Sequence, residues 1–175
     1  ELSLRLKGDL KDFPFPGARG GVFQIAAKVV DGTLRYAEDW PAITGIDAEL
    51  HFDGKRLEVT STKASVLGAR LTNVHAVLPD LFAPERMLEV TGRAEGPTAE
   101  FLKFVAHSPV HGMTGGFIDN MGATGSGKLQ LRLDLPLARL AETKVAGSYQ
   151  FIGNRVSIDA AWPPLEQVGG RLAVL

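Results

Sequence analysis

The stretch Trp40-Pro-Ala-Ile-Thr-Gly-Ile-Asp-Ala-Glu-Leu-His-Phe52 decides the fold, because it returns near the C-terminus as Trp162-Pro-Pro-Leu-Glu-Gln-Val-Gly-Gly-Arg-Leu-Ala-Val174. The two copies align without a gap, and the alignment extends upstream. Thr33-Leu-Arg-Tyr36 falls on Arg155-Val-Ser-Ile158, and Val29-Val30 on Phe151-Ile152. Identities are few: the Trp, the Pro, and Leu50 with Leu172. What repeats, over residues 23–52 and 145–174, is the in/out pattern. Each copy reads as a strand, a corner (Trp40-Pro41, Trp162-Pro163) and a second strand of alternating apolar and polar residues. A repeat of so long a period is the mark of an elongated sheet built by accretion, not of a compact catalytic domain.

Working outward from the first copy, the chain reads as strand after strand. Leu2, Leu4 and Leu6 alternate with Ser3, Arg5 and Lys7 until Asp12-Phe-Pro-Phe-Pro-Gly17 breaks the run, since proline cannot donate to a ladder. Phe23 and Ile25 then share a face, Asp31-Gly32 predicts a two-residue hairpin, and Leu34 and Tyr36 follow in a new strand. Beyond the corner, Leu50 and Phe52 alternate with Glu49 and His51, and Asp53-Gly54 turns the chain again. Two short strands around Gly68 and one over Met87–Ala94 come next. A helix is predicted from a Pro97-Thr98 cap to Ser108-Pro109, inside an insertion over about 97–127 whose Gly-rich part holds one helical turn near Phe117–Met121. Leu129, Leu131, Leu133 and Leu135 form the cleanest strand. Tyr149, Phe151, Val156 and Ile158 belong to a hairpin across Gly153-Asn154. The expectation is mainly β: roughly ten antiparallel strands with one or two short helices.

One-sidedness is the feature to explain. Nearly every strand pairs one apolar face with one polar face, as in a half-solvated antiparallel sheet. One amphipathic helix cannot cover so wide an apolar face. The sheet must then curl and bury that face against itself, or leave part of it open as a groove suited to an acyl chain.

Composition excludes several functions. At 175 residues, 45% apolar and 22% charged, the chain is long enough for a sizeable core and is not disordered in bulk. Its net charge is −1 with Lys and Arg scattered, so no basic stripe offers itself to nucleic acid. The absence of cysteine removes disulfides, thiolate metal sites and Cys nucleophiles. No apolar run approaches the ~20 residues of a membrane helix. Glu1 opens in mid-strand without an initiator Met, and the second copy stops before a counterpart of Asp53-Gly54-Lys55. The chain is therefore read as a piece of a longer one, and missing targeting signals are uninformative.

No catalytic constellation assembles. Gly122-Ala-Thr-Gly-Ser-Gly-Lys128 matches seven positions of a phosphate loop, but Leu129 stands where Ser or Thr should hold magnesium, and a strand follows instead of a helix. His107 and His111 have metal-ligand spacing, yet Pro109 interrupts the helix that would align them, and no carboxylate lies close by in sequence. His51 falls on a polar strand face. Ser65, Ser108 and Ser126 lack a nucleophile elbow. Trp40 and Trp162 read as wedges closing their corners. Neither metal nor cofactor is expected, and the chain is not read as an enzyme.

The blocks Leu6-Lys-Gly-Asp-Leu-Lys-Asp-Phe-Pro-Phe15, Val30-Asp-Gly-Thr-Leu-Arg-Tyr36 with Trp40-Pro41, Glu95-Gly-Pro-Thr98, Ala123-Thr-Gly-Ser-Gly-Lys-Leu129 with Leu133-Asp-Leu-Pro136, and Trp162-Pro-Pro-Leu-Glu166 occur in an order that resembles the YhdP family of AsmA-like proteins of Gram-negative envelopes. The resemblance covers nearly the whole chain. It implies a taco-like curled sheet with an apolar concave face, part of a periplasmic bridge anchored in the inner membrane, that conducts phospholipids toward the outer membrane. Acyl chains would then lie along Phe23, Ile25, Leu50, Phe52, Leu131, Leu133 and their neighbours Leu34, Tyr36, Leu129, Tyr149, Phe151, Val156 and Ile158, with headgroups in water. The other reading is a non-catalytic scaffolding module for envelope assembly, with a closed apolar core and a protein partner on its polar surface or edge strands.

Overall fold

The computed structural model describes residues 1–15, 20–36, 38–116, 118–159 and 161–174. Their architecture is a single antiparallel sheet with every strand beside its sequence neighbours: β1 (Leu2–Gly8), β2 (Gly21–Leu34), β3 (Ile43–Asp53), β4 (Arg56–Val66), β5 (Ala69–Leu78), β6 (Met87–Pro97), β7 (Gly122–Pro136), β8 (Lys144–Ser157) and β9 (Leu165–Val174). β1 and β9 form the two edges and do not pair with each other, so the sheet is open. One α-helix, α1 (Thr98–Ala106), follows β6, and short 3₁₀ turns occupy Leu10–Asp12, Pro109–Thr114 and Leu140–Glu142.

Two expected hairpins are not hairpins. β2 runs unbroken through Asp31-Gly32, and β8 through Gly153-Asn154. Asp31 (φ 52°) and Gly153 (φ 58°) adopt the left-handed conformation that a hairpin turn would require, but here it makes a bulge. Asp-Gly and Gly-Asn signal positive φ. They do not say whether the flanking segments pair with each other or with one common neighbour. β2 pairs along its length with β3, and β8 with β7 and β9, so the chain stays extended. The bulge also explains why the apolar set changes parity, from Phe23 and Ile25 to Leu34, and from Tyr149 and Phe151 to Val156. The count of strands falls to nine for the same reason. Likewise, Gly122–Gly127 extends β7 and is not part of an irregular Gly-rich segment. The expected turn near Phe117–Met121 falls partly outside the described residues.

Bulges recur across the sheet. Register shifts interrupt the β2–β3, β3–β4, β5–β6, β7–β8 and β8–β9 pairs. Each adds local twist and bend, so the sheet curls. The curl can be gauged from α1. A flat sheet would separate β3 from β8 by about 24 Å, five strand spacings. Yet Phe101 and Phe104, one helical turn apart, touch Tyr149 of β8 and Trp40 of the 35–42 connection, at ring-centroid distances of 5.1 and 5.8 Å.

The core is thin. Its buried apolar side chains are mostly small: Ala48, Ala64, Ala69 and Ala94, with Phe15, Val77, Leu78, Tyr149 and Val156. The accessible surface is 11570 Å², against about 8,300 Å² for a compact monomer of this mass.

Candidate functional site

The apolar face is built by register. One row of register partners crosses eight strands as Leu2, Ala27, Leu50, Val59, Ala76, Val90, Leu133 and Val145, every side chain aliphatic. A second row carries Leu4, Ile25, Phe52, Leu57 and Leu78. Strand alternation explains the segregation: a period of two puts all apolar partners of one row on one side. The opposite face is ion-paired across strands, with Arg132 on Glu89 (3.2 Å), Lys128 on Glu95 (3.5 Å) and Arg155 on Glu166 (3.0 Å). Exposed pairs of this kind contribute about 0–1 kcal/mol each, so they keep that face wet more than they hold the fold.

Aromatic contacts bridge the apolar face at both ends. At one, the 9–15 connection folds back so that Phe13 meets Phe23 (5.2 Å) and reaches Phe82 of the β5–β6 connection (5.5 Å), while Phe23 meets Phe52 (5.4 Å). At the other, α1 carries the chain Tyr36–Trp40–Phe104 on one side and Phe101–Tyr149–Phe151 on the other. Edge-to-face packing accounts for most of these pairs, a geometry the ring quadrupoles favour.

A small polar network fixes α1. Asn154 is fully buried beside the β8 bulge, donates to the Ser126 carbonyl of β7 (2.7 Å) and accepts from the Thr98 hydroxyl. Tyr149 in turn donates to Thr98 (2.9 Å). Thr98 was expected to help cap the helix; it is instead the first helical residue, and no side chain caps that end. Burial under α1 pushes the Tyr149 phenol above its ordinary range, and burial does the same to Tyr36. Every group of the network is a neutral donor or acceptor satisfied within the fold, as a buried polar group must be.

The expected lining residues divide into three groups. Phe23, Ile25, Leu50, Phe52, Leu129, Leu131, Leu133 and Phe151 are half-buried on the apolar face. Leu34, Tyr36 and Ile158 are more open, at 49%, 45% and 39% exposure, and Tyr36 and Ile158 lie beyond the strands. Tyr149 and Val156 are buried. The corners differ: Trp40 is packed, Trp162 is 71% exposed. Phe13, Phe82, Phe101, Phe104 and Asn154 complete the arrangement. The sequence showed them only as loop or helix residues, because the contacts that join them are non-local.

The histidines make local pairs. His75 lies 2.6 Å from Glu58, whose carboxyl is held below its ordinary range by that hydrogen bond and by Arg56. His111 lies 2.6 Å from Asp119, eight residues on, and His107 Nδ1 meets the Lys103 carbonyl (2.8 Å) beyond the end of α1. Among the described residues no three His, Asp or Glu side chains are grouped to hold a metal. The Gly122–Lys128 segment lies within β7, with none of the helix N-terminus a phosphate loop requires.

An open, curled antiparallel sheet with one aliphatic face defines the class: an elongated β-module whose distinctive surface is apolar. The sequence profile of the family described as "YhdP protein" matches residues 1–174, so the chain belongs to the YhdP family. It is similar to the intermembrane phospholipid transporter YhdP of Escherichia coli (strain K12), at 26% identity over 130 residues. That alignment covers 74% of this chain and 10% of the transporter, so the chain spans about a tenth of that relative's length. No solved structure matches.

Proposed function

We infer that this chain is one segment of a periplasmic bridge, anchored in the inner membrane through the full-length protein, that shields phospholipid acyl chains on their way between the inner and outer membranes. Acyl chains lie along the aliphatic rows of the concave face, and headgroups stay in water at the open seam. The observation that carries this reading is the exposure of the apolar face. Among the described residues the only large side chain buried completely is an asparagine, Asn154, while Leu50, Phe52, Leu131 and Leu133 on interior strands are only half-buried. A closed core of a scaffolding module would bury its large aliphatic residues fully, as close-packed interiors do. Each CH₂ removed from water contributes about 0.8 kcal/mol, so a cover along most of two acyl chains offsets their extraction from a bilayer. Short aliphatic side chains along a row give similar contacts at each position, which suits passage better than tight binding. The family's lipid-transport role supports a non-catalytic reading.

Site-specific photo-crosslinking in cells tests this. A photoreactive residue replaces Leu131 or Leu50 in the parent protein, with Arg132 and Glu49 as polar-face controls. Phospholipid adducts are expected at the two leucines only. Equal labelling of both faces, or none in folded protein, overturns the reading.

A further inference from the structure

We propose that α1 is a fixed wall dividing the concave face, so that acyl chains pass along the row through Leu50 and are excluded from the row through Leu129. This assignment rests on the lipid reading and narrows it to one lane of the apolar face. Burial separates the two lanes. The row Leu50, Val59, Ala76, Val90 and Leu133 crosses five interior strands, and none of its members is buried. Four residues back along β7 lies the row Ala64, Leu71, Ala94, Leu129 and Tyr149, in which Ala64, Ala94 and Tyr149 are all buried. Beyond it Gly96 faces a buried Gly127, with buried Ala69 beside Gly96.

The cover is α1, which runs across the strands and so along the rows. Thr98 bonds to Asn154 of β8, Phe101 meets Tyr149, and Phe104 meets Trp40 ahead of β3. Between them Glu100 lies over the β4–β5 turn, where a Cβ on Gly68 would stand 2.8 Å from its Cγ. The floor beneath is cut down to fit. A Cβ on Gly127 would run into the Tyr149 hydroxyl, and one on Gly96 would stand 3.0 Å from the Ala69 Cα. Size limits the wall on its other side. Rows on one face lie about 6.8 Å apart, twice the strand rise, so Leu133 stands about 13.6 Å from Leu129. A helix with its side chains has a half-width of about 5–6 Å. Seated over Leu129 and Gly127, α1 reaches no further than the row through Leu131. Nor is it built to lift. Raising it would strip Asn154 and Thr98, both buried, of each other, a cost that a chain passing beside α1 never meets.

The test places a photoreactive residue in the full-length protein in cells, at Leu50 or Val90 in the open lane and at Leu71 or Leu129 in the covered one. All four are half-buried, so a difference in labelling reports the lane and not general accessibility. Phospholipid adducts are expected at Leu50 and Val90, with background levels at Leu71 and Leu129. A second arm pins α1 in place with Gly68→Cys and Glu100→Cys, whose sulfurs fall within disulfide reach in a segment that has no other cysteine. Oxidising that pair should leave labelling at Leu50 and Val90 unchanged. Adducts at Leu71 or Leu129 as abundant as at Leu50 overturn the proposal, and so does loss of labelling at Leu50 when α1 is pinned. Failure of the pair to oxidise overturns it as well, because α1 then does not sit over Gly68. Absence of lipid from all four positions overturns the transport reading itself, and the wall with it. Lipid in both lanes overturns the wall alone.

Discussion

At the first Trp-Pro corner, Trp40 is held between Tyr36 and Phe104; at the second, Trp162 is 71% exposed although its backbone follows the same bulges and register. The difference teaches which part of the unit is local. Bulge, corner and second strand are set by residues within about thirty positions and by pairing with the next strand, so both copies form them. The cover is not local. It comes from α1, which inserts after β6 and is fixed to β8 by Asn154, Thr98 and Tyr149. The two copies thus contribute unequally to one helix: the first offers a Trp and the second an Asn. Gly32 occupies the position in β2 that corresponds to Asn154, and a glycine has no side chain with which to hold a helix.

The largest effect is expected from removing that inequality. Asn154→Gly gives the second copy the residue of the first, leaves the Ser126 carbonyl and the Thr98 hydroxyl short of a partner, and should lower stability by about 3 kcal/mol. The urea midpoint of the chain reads this directly, and a change within about 0.5 kcal/mol would mean that the network does not fix α1. A smaller effect separates the corners. Trp40→Ala strips the packing between Tyr36 and Phe104 and should cost about 2 kcal/mol, less than for a fully buried Trp because Trp40 is only half-buried. Trp162→Ala in the same 175-residue chain should stay within about 0.5 kcal/mol. Equal losses at the two sites would break the contrast. The smallest effect sharpens the likeness. Asp31→Gly and Gln167→Gly relieve a side chain in the left-handed region and should each gain about 0.5–1 kcal/mol, while Gly153→Asp and Gly45→Gln should lose as much. A Cβ at Gly153 meets nothing within 4 Å, so that loss reports backbone strain alone. Opposite signs at Asp31 and Gln167 would mean that the two bulges are held by different forces.

Much of the fold was legible because strand alternation is a local code. Leu129, Leu131 and Leu133, or Leu50 and Phe52, announce a face by spacing alone, and antiparallel neighbours joined by short turns leave little freedom in strand order. The helix was legible from its start after Pro97 to its stop before Pro109. The places where the reading failed share one cause. Asp31-Gly32 and Gly153-Asn154 carry the same dihedral demand in a hairpin and in a bulge, and only the partner strand decides between them. Phe13 and Phe82 are separated by four strands, and nothing near either residue announces the other.

The sequence by itself determined the alternating apolar face, the two equivalent strand–corner–strand units and the absence of a cysteine or a complete phosphate-loop motif, because each depends on residue type and short spacing. Tertiary structure alone decided that the long strands run through their bulges, that the sheet curls enough for one helical turn to touch both Trp40 and Tyr149, and that α1 covers the first corner while leaving the second bare. Those outcomes depend on which distant groups satisfy one another's hydrogen bonds and bury one another's rings. The deciding partner of each residue lies tens of positions away, where no local pattern records it.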